Sequence, residues 1–176
     1  MVCKTQTKNY ISRKNYLKLG VKKSIFTKKQ REEVYDIFEK YLKFLENSHW
    51  YDLNMISFEY LNKVEKKYDF IVIDEVQDIT VIQLKLILNS LKEDNKFILS
   101  GDSNQIVHPN FFSWSNIKTL FYKGNFDFSL IRILKTNYRN SQKVTELSNN
   151  LLRIKNARFG SIDKESTFLI NSKNDN

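Results

Sequence analysis

Hydrophobic positions follow two rhythms along this chain. Val34, Ile37, Phe38, Tyr41, Leu42 and Leu45 recur at three- and four-residue steps, which places them on one face of a helix over 28–46. Thr27-Lys28-Lys29-Gln30 precedes it in the form of a capping box, a hydroxyl and an amide three residues apart at a helix start. A second, shorter helix is predicted over 56–66. Residues 1–26 show little periodicity and read as frayed, or as dependent on structure supplied from elsewhere.

The second rhythm begins at Phe70-Ile71-Val72-Ile73, a short apolar run rich in β-branched residues that ends abruptly in charge. It reads as a strand buried on both faces, as in a parallel sheet. Thr80–Leu91 has helix length, Lys92-Glu93-Asp94-Asn95 has turn chemistry, and Phe97-Ile98-Leu99 is a second short strand. Strand, helix and strand at this spacing form a βαβ unit with a right-handed crossover. A third strand is predicted over Leu130–Leu134. Ser141 opens a further helix carrying Val144, Leu147, Leu151 and Leu152, and the tail after Asp163 is polar apart from Phe168-Leu169-Ile170.

Composition narrows the class. The chain has 176 residues, 41% of them hydrophobic, enough for one domain with a real core. Its apolar runs are too short to span a bilayer, and no apolar signal core opens the sequence. Cys3 is the single cysteine, so neither an intrachain disulfide nor a multi-cysteine zinc site can form, which fits a reducing, cytoplasmic setting. The net charge is +9, and residues 1–31 hold ten Lys and Arg with no acid before Glu32. A segment of that kind favours a polyanion, nucleic acid ahead of membrane, because no apolar face accompanies the charge; a basic solvated surface is the plainer reading.

The chemistry sits at the carboxyl ends of the two strands, where open α/β sheets bind ligands. The first ends in Asp74-Glu75-Val76-Gln77-Asp78 and the second in Ser100-Gly101-Asp102-Ser103-Asn104-Gln105. An Asp directly after an apolar strand can hold Mg²⁺ beside phosphates, and a neighbouring Glu can polarise the attacking water. A lone pair of this kind is more often the start of a solvated loop. Two in tandem, each with a Gln three residues after its Asp, point to a site.

Tyr68-Asp69-Phe70-Ile71-Val72-Ile73-Asp74-Glu75-Val76-Gln77-Asp78 resembles motif II of the UvrD/Rep-type superfamily 1 DNA helicases. Gly101-Asp102-Ser103-Asn104-Gln105 resembles their motif III, and Asn137-Tyr138-Arg139-Asn140-Ser141 their motif IV, in family order over roughly residues 50–155. The resemblance implies an α/β fold with a partial RecA-like parallel sheet flanked by helices and a basic helical N-terminal region. It implies that residues 1–66 correspond to part of accessory subdomain 1B and its return to 1A. Residues 67–155 would be the C-terminal half of motor domain 1A, and 156–176 a polar tail leading toward a second motor domain.

For the site, the resemblance implies ATP and Mg²⁺ as cofactors and single-stranded DNA as a partner. Asp74 would coordinate Mg²⁺ through water, and Glu75 would be the base for ATP hydrolysis. Gln77 and Gln105 would sense the γ-phosphate, and Asp102 would join the nucleotide contacts. Tyr138 would stack on adenine, and Arg139 would neutralise charge developing on the γ-phosphate. Without the motif, Tyr138 reads equally well as a core aromatic and Arg139 as half of a surface ion pair. Trp114 stands near the family's base-stacking aromatic. The usual aromatic-Arg-Gly after motif III is here Phe111-Phe112-Ser113-Trp114-Ser115-Asn116, so Trp114 reads as a DNA contact or as core.

No Gly-x-x-x-x-Gly-Lys-Ser/Thr occurs, and Gly20, Gly101, Gly124 and Gly160 cannot form one. The P-loop's amides and lysine cradle the β- and γ-phosphates. The expectation is therefore a helicase segment that is active only with the remaining portions in cis or in trans. The other readings are a non-catalytic single-strand-binding module and, last, a metal-dependent nuclease using Asp74, Glu75 and Asp102.

Overall fold

The computed structural model describes residues 10–20, 24, 26–106, 114, 117, 132–161 and 164–174. The fold is mixed α/β, with short parallel sheets flanked by helices and with helices at the N-terminal side, as the resemblance implied. The chain divides into two compact units, one of residues up to Ile71 plus Ile82–Lys96, the other of Val72–Val81 plus Phe97 onward.

In the first unit, helix α1 (Arg13–Leu17) is capped by Ser12, whose side chain accepts from the Asn15 amide. One turn of helix leaves no period to read, so sequence alone gave no element here. What holds it is α2 (Lys28–Ser48). Arg13 donates to Asp36 and Glu39, Tyr35 donates its hydroxyl to the Ile11 carbonyl at 2.9 Å, and Tyr35 packs edge-on against Phe38 at 5.5 Å. The expected capping box is present: Thr27 Oγ1 accepts from the Gln30 amide, and Gln30 Oε1 accepts from the Thr27 amide at 2.9 Å. Helix α2 stops at His49, which takes the left-handed conformation (φ 55°).

Helix α3 spans Leu53–Tyr60, earlier than the predicted 56–66, because Asp52 caps it and accepts from the Asn54 and Met55 amides at 2.8 and 3.0 Å. The cap outweighs the apolar period as a start signal. Strand β1 (Ile71–Ile73), helix α4 (Val81–Asn89) and strand β2 (Phe97–Leu99) form the expected βαβ unit. Hydrogen bonds from Ile71 N to Lys96 O and from Ser100 N to Ile73 O advance in the same sense along both strands, so the pair is parallel. Leu84 of α4 and Leu91 beyond it are almost fully buried.

Two expectations are corrected. The strands are not buried on both faces: Ile73 is buried, but Val72 and Ile98 are 65% and 54% exposed, because no described element covers that side of this two-stranded sheet. The predicted strand at Leu130–Leu134 is not found where it can be seen. Leu130 and Ile131 lie outside the described residues, and Arg132–Lys135 is not a strand. The strand is β3 (Thr136–Ser141), made of polar residues. It pairs in parallel with an equally polar β4 (Asn171–Asn174), with Thr136 opposite Asn171. Helix α5 (Gln142–Phe159) joins them into a second βαβ unit, opening at Ser141 as expected. No described helix is long and apolar enough to cross a membrane.

Candidate functional site

Strand β1 ends at Ile73, and the chain must turn at once to keep Asp74 and Glu75 outside the sheet. Glu75 makes that turn in the left-handed conformation (φ 50°, ψ 41°), and its carbonyl accepts from the Asp78 amide at 2.9 Å to open a short 3₁₀ turn over Val76–Asp78. A glutamate held at positive φ costs roughly 1–2 kcal/mol and persists only where its surroundings fix it. They do: Val76 is fully buried, and its amide donates to the Ser100 carbonyl at 2.9 Å.

Asp74 is exposed, yet its carboxylate is organised. Ser100 Oγ donates to Oδ1 at 2.5 Å and the Glu75 amide donates to the same oxygen at 3.0 Å. The Ser100 hydroxyl, and then the amide, hold its pKa below the usual carboxylate value, against a smaller opposing effect of desolvation. Both bonds fall on Oδ1, so Oδ2 remains for water.

Gln77 ties the two loops together. Its side chain is 2% exposed; Nε2 donates to Glu75 Oε2 at 2.6 Å, and Oε1 accepts from the Asp102 amide at 3.0 Å. Gly101 is what allows the approach. A Cβ there would stand 2.5 Å from Gln77 Oε1 and 2.9 Å from Val76 Cγ1. Asp102 in turn shapes its own loop, with Oδ1 accepting from the Asn104 amide at 2.8 Å and Oδ2 from Gln105 Nε2 at 3.0 Å. Asp74, Glu75, Gln77, Asp102 and Gln105 are thus drawn together on two joined loops.

The remaining predicted residues belong elsewhere. Asn137 Oδ1 accepts from the Arg139 and Asn140 amides at 2.8 and 3.0 Å, a turn-like bracing inside β3. Tyr138 is 68% exposed, with Lys173 Nζ lying 5.8 Å from its ring centre, so it is not a core aromatic. Arg139 is exposed, and no ion pair joins it to another described residue. Trp114 is half-buried, and its neighbours 107–113 and 115–116 lie outside the described residues.

The sequence profile of the UvrD/REP helicase N-terminal domain matches residues 1–123. The chain belongs to that family. It is 30% identical over 104 residues to a probable DNA helicase II homolog of Mycoplasma capricolum, covering 57% of this chain and 14% of that protein. It is 30% identical over 126 residues to the RecBCD enzyme subunit RecB of Borreliella burgdorferi, covering 66% of this chain and 10% of that one. The ATP-dependent DNA helicase Rep of Buchnera aphidicola is 30% identical over 92 residues, 50% of this chain and 14% of its own length. The chain therefore spans about a seventh of these relatives or less.

The family is associated with ATP, so the fit of the residues matters. Among the described residues no three His, Cys, Asp or Glu side chains come together to hold a metal, and the nuclease reading has no cage to build on. A single ionised Asp with one oxygen open to water suits a hydrated Mg²⁺ held partly by phosphates, because that ion keeps several waters.

Sequence reasoning passed over Ser100, Asn104 and Lys155. Ser100 had a signal: it follows β2 directly, and a parallel partner strand sets it beside the residue that follows β1. A second missed signal is charge, since residues 132–174 carry nine Lys and Arg against three Asp and Glu, a net +6 comparable to the N-terminal excess.

Proposed function

We propose that this chain supplies the metal-binding, hydrolytic and coupling residues of an ATP-dependent DNA helicase of the UvrD/Rep type, with the P-loop contributed from elsewhere in cis or in trans. Asp74 would hold Mg²⁺ through water, Glu75 would take the proton of the attacking water, and Gln105 would sense the γ-phosphate. Asp102 keeps Gln105 in place, Gln77 links Glu75 to motif III, Arg139 would meet the charge developing on the phosphoryl group, and the exposed Tyr138 would stack on adenine. When bound, Mg-ATP would supply the phosphoryl group and the charge that these residues position and neutralise. Residues 1–66 correspond in this reading to part of accessory subdomain 1B and its return to 1A, 67–155 to the C-terminal half of motor domain 1A, and 156–176 to a polar tail leading toward the second motor domain. Single-stranded DNA is the track, and the setting is cytoplasmic.

The observation that carries the reading is the Gln77 amide, which joins the carboxylate of motif II to the backbone of motif III. A hydrolytic base wired to a second motif is what a motor needs and what a solvated loop does not.

The test is a chimera in which residues 67–106 replace the corresponding segment of an active UvrD/Rep-type helicase. DNA-stimulated turnover is expected, falling about a hundredfold or more with Glu75→Gln. A folded, DNA-binding chimera without turnover would overturn the proposal. The second reading, a non-catalytic single-strand-binding module, draws on the basic ends of the chain. It predicts binding by the chain alone that weakens steeply with salt and ignores ATP.

A further inference from the structure

Asn104 lies within Asp102-Ser103-Asn104-Gln105, and it has no role in the reading above. Its side chain is nonetheless bonded at both ends of its amide. Its amide donates to Asp102 Oδ1 at 2.8 Å, Lys155 Nζ donates to its Oδ1 at 2.7 Å, and its Nδ2 donates to the Ser166 carbonyl at 3.3 Å. Lys155 belongs to α5, and Ser166 to a 3₁₀ turn (Glu165–Thr167) between α5 and β4, where it is 2% exposed. One amide is therefore gripped from two places in the β3–α5–β4 unit, the unit that carries Tyr138 and Arg139.

The path continues through the Asp102 loop, since the Asn104 amide donates to Asp102 Oδ1. Asp102 N donates to Gln77 Oε1, and Gln77 Nε2 donates to Glu75 Oε2. Asn104 reaches Asp102 through its backbone amide and Asp102 reaches Gln77 through its own, so a shift of the loop moves the planar Gln77 amide, which cannot follow Asp102 without withdrawing from Glu75. We propose that Asn104 and Lys155 are positioning residues that fix the Glu75 carboxylate according to the placement of α5. A displacement of the β3–α5–β4 unit pulls on Asn104, then on the Asp102 loop, then on the Gln77 amide. The inference rests on the reading of Glu75 as the hydrolytic base for its meaning, but its geometry can be tested without nucleotide.

Contiguity alone does not prove coupling, so the test must read the far end of the path. In the ¹⁵N-labelled full chain, Lys155→Met removes the ammonium and keeps the stem. The expected result is a shift of the Asp102 backbone amide and the Gln77 side-chain amide resonances, with faster hydrogen exchange at Asp102. Lys155→Arg is expected to restore both sets. A role confined to holding α5 in place would lower the melting temperature and leave the Gln77 resonances unmoved. That outcome, in a Lys155→Met chain that is folded by circular dichroism, overturns the proposal. Asn104→Ala should reproduce the Lys155→Met shifts; if it fails to fold, the half-exposed Lys155 variants decide alone. Because no step involves ATP, an inactive chimera and an uncoupled Lys155 are separate results.

Discussion

Gln77 donates to the Glu75 carboxylate at 2.6 Å while the other end of the same amide accepts from the Asp102 backbone. A side-chain amide can do both, with a donor and an acceptor at opposite ends. A glutamate could accept but not donate, and an apolar side chain could do neither. Gln77 is also buried, and losing it takes this partner from the part-buried Asp102 N–H. Gln77→Met keeps the volume and removes the bridge. It should cost roughly 1–3 kcal/mol in urea unfolding, the ordinary penalty for an unsatisfied buried donor. Hydrogen exchange at Asp102 should accelerate. Unchanged exchange there would mean that the bridge does not exist in solution.

Asp74 should show a pH signature. Its pKa lies below the usual value of about 3.9, first because Ser100 donates to it and second because the Glu75 amide does. A carboxylate with a depressed folded pKa contributes stability above its unfolded pKa and loses that contribution as pH falls through the folded one. Ser100→Ala should therefore raise the Asp74 midpoint, read from its ¹³C carboxyl titration, and shrink the acid-dependent loss of stability. A midpoint that stays put would show that Ser100 is not the cause.

What could be read from the chain beforehand depended on how local each signal was. The Thr27 capping box, helix α2 and the strand ends at Asp74 and Asp102 each rest on residues a few positions apart, and all were legible. Strands β3 and β4 were not. Thr136–Ser141 and Asn171–Asn174 have no apolar alternation, and their order comes from each other. The Asn171 amide donates to the Lys135 carbonyl at 2.8 Å, and Ser172 Oγ donates to the Asn140 carbonyl at 2.8 Å. The apolar Ile133-Leu134 drew the expected strand upstream, yet Leu134 is 87% exposed. The Gln77 bridge and the Asn104 grip were invisible for a related reason: their partners are 25 and 51 to 62 residues away.

Gly101 is fixed by space rather than by backbone conformation. A methyl group there would press on Gln77 Oε1 at 2.5 Å and Val76 Cγ1 at 2.9 Å, and Val76 cannot retreat because it is fully buried. Gly101→Ala should destabilise the chain by about 1–3 kcal/mol. It should also move the Gln77 side-chain resonances as Gln77 swings away. An alanine variant with wild-type stability would mean that the two loops lie further apart in solution than this packing requires.

Helix α5 turns its polar side inward. Thr145 is buried, and Asn149 exchanges two hydrogen bonds with Ile170, donating to its carbonyl at 2.7 Å and accepting from its amide at 3.1 Å. Meanwhile Val144, Leu147, Leu151 and Ile154, spaced three and four apart, are 51–63% exposed. An apolar stripe of two helical turns and more, facing water, is unusual for a soluble surface and should bind a hydrophobic dye in the native state. The chain should enhance anilinonaphthalene sulfonate fluorescence without denaturant, and Leu147→Glu with Leu151→Glu should abolish most of that signal. Since both residues are exposed, the double variant should keep its helical circular dichroism and unfold within about 0.5 kcal/mol of wild type. Loss of fold instead would show that these leucines are buried against something in the chain. No dye binding in wild type would show that the stripe is already covered.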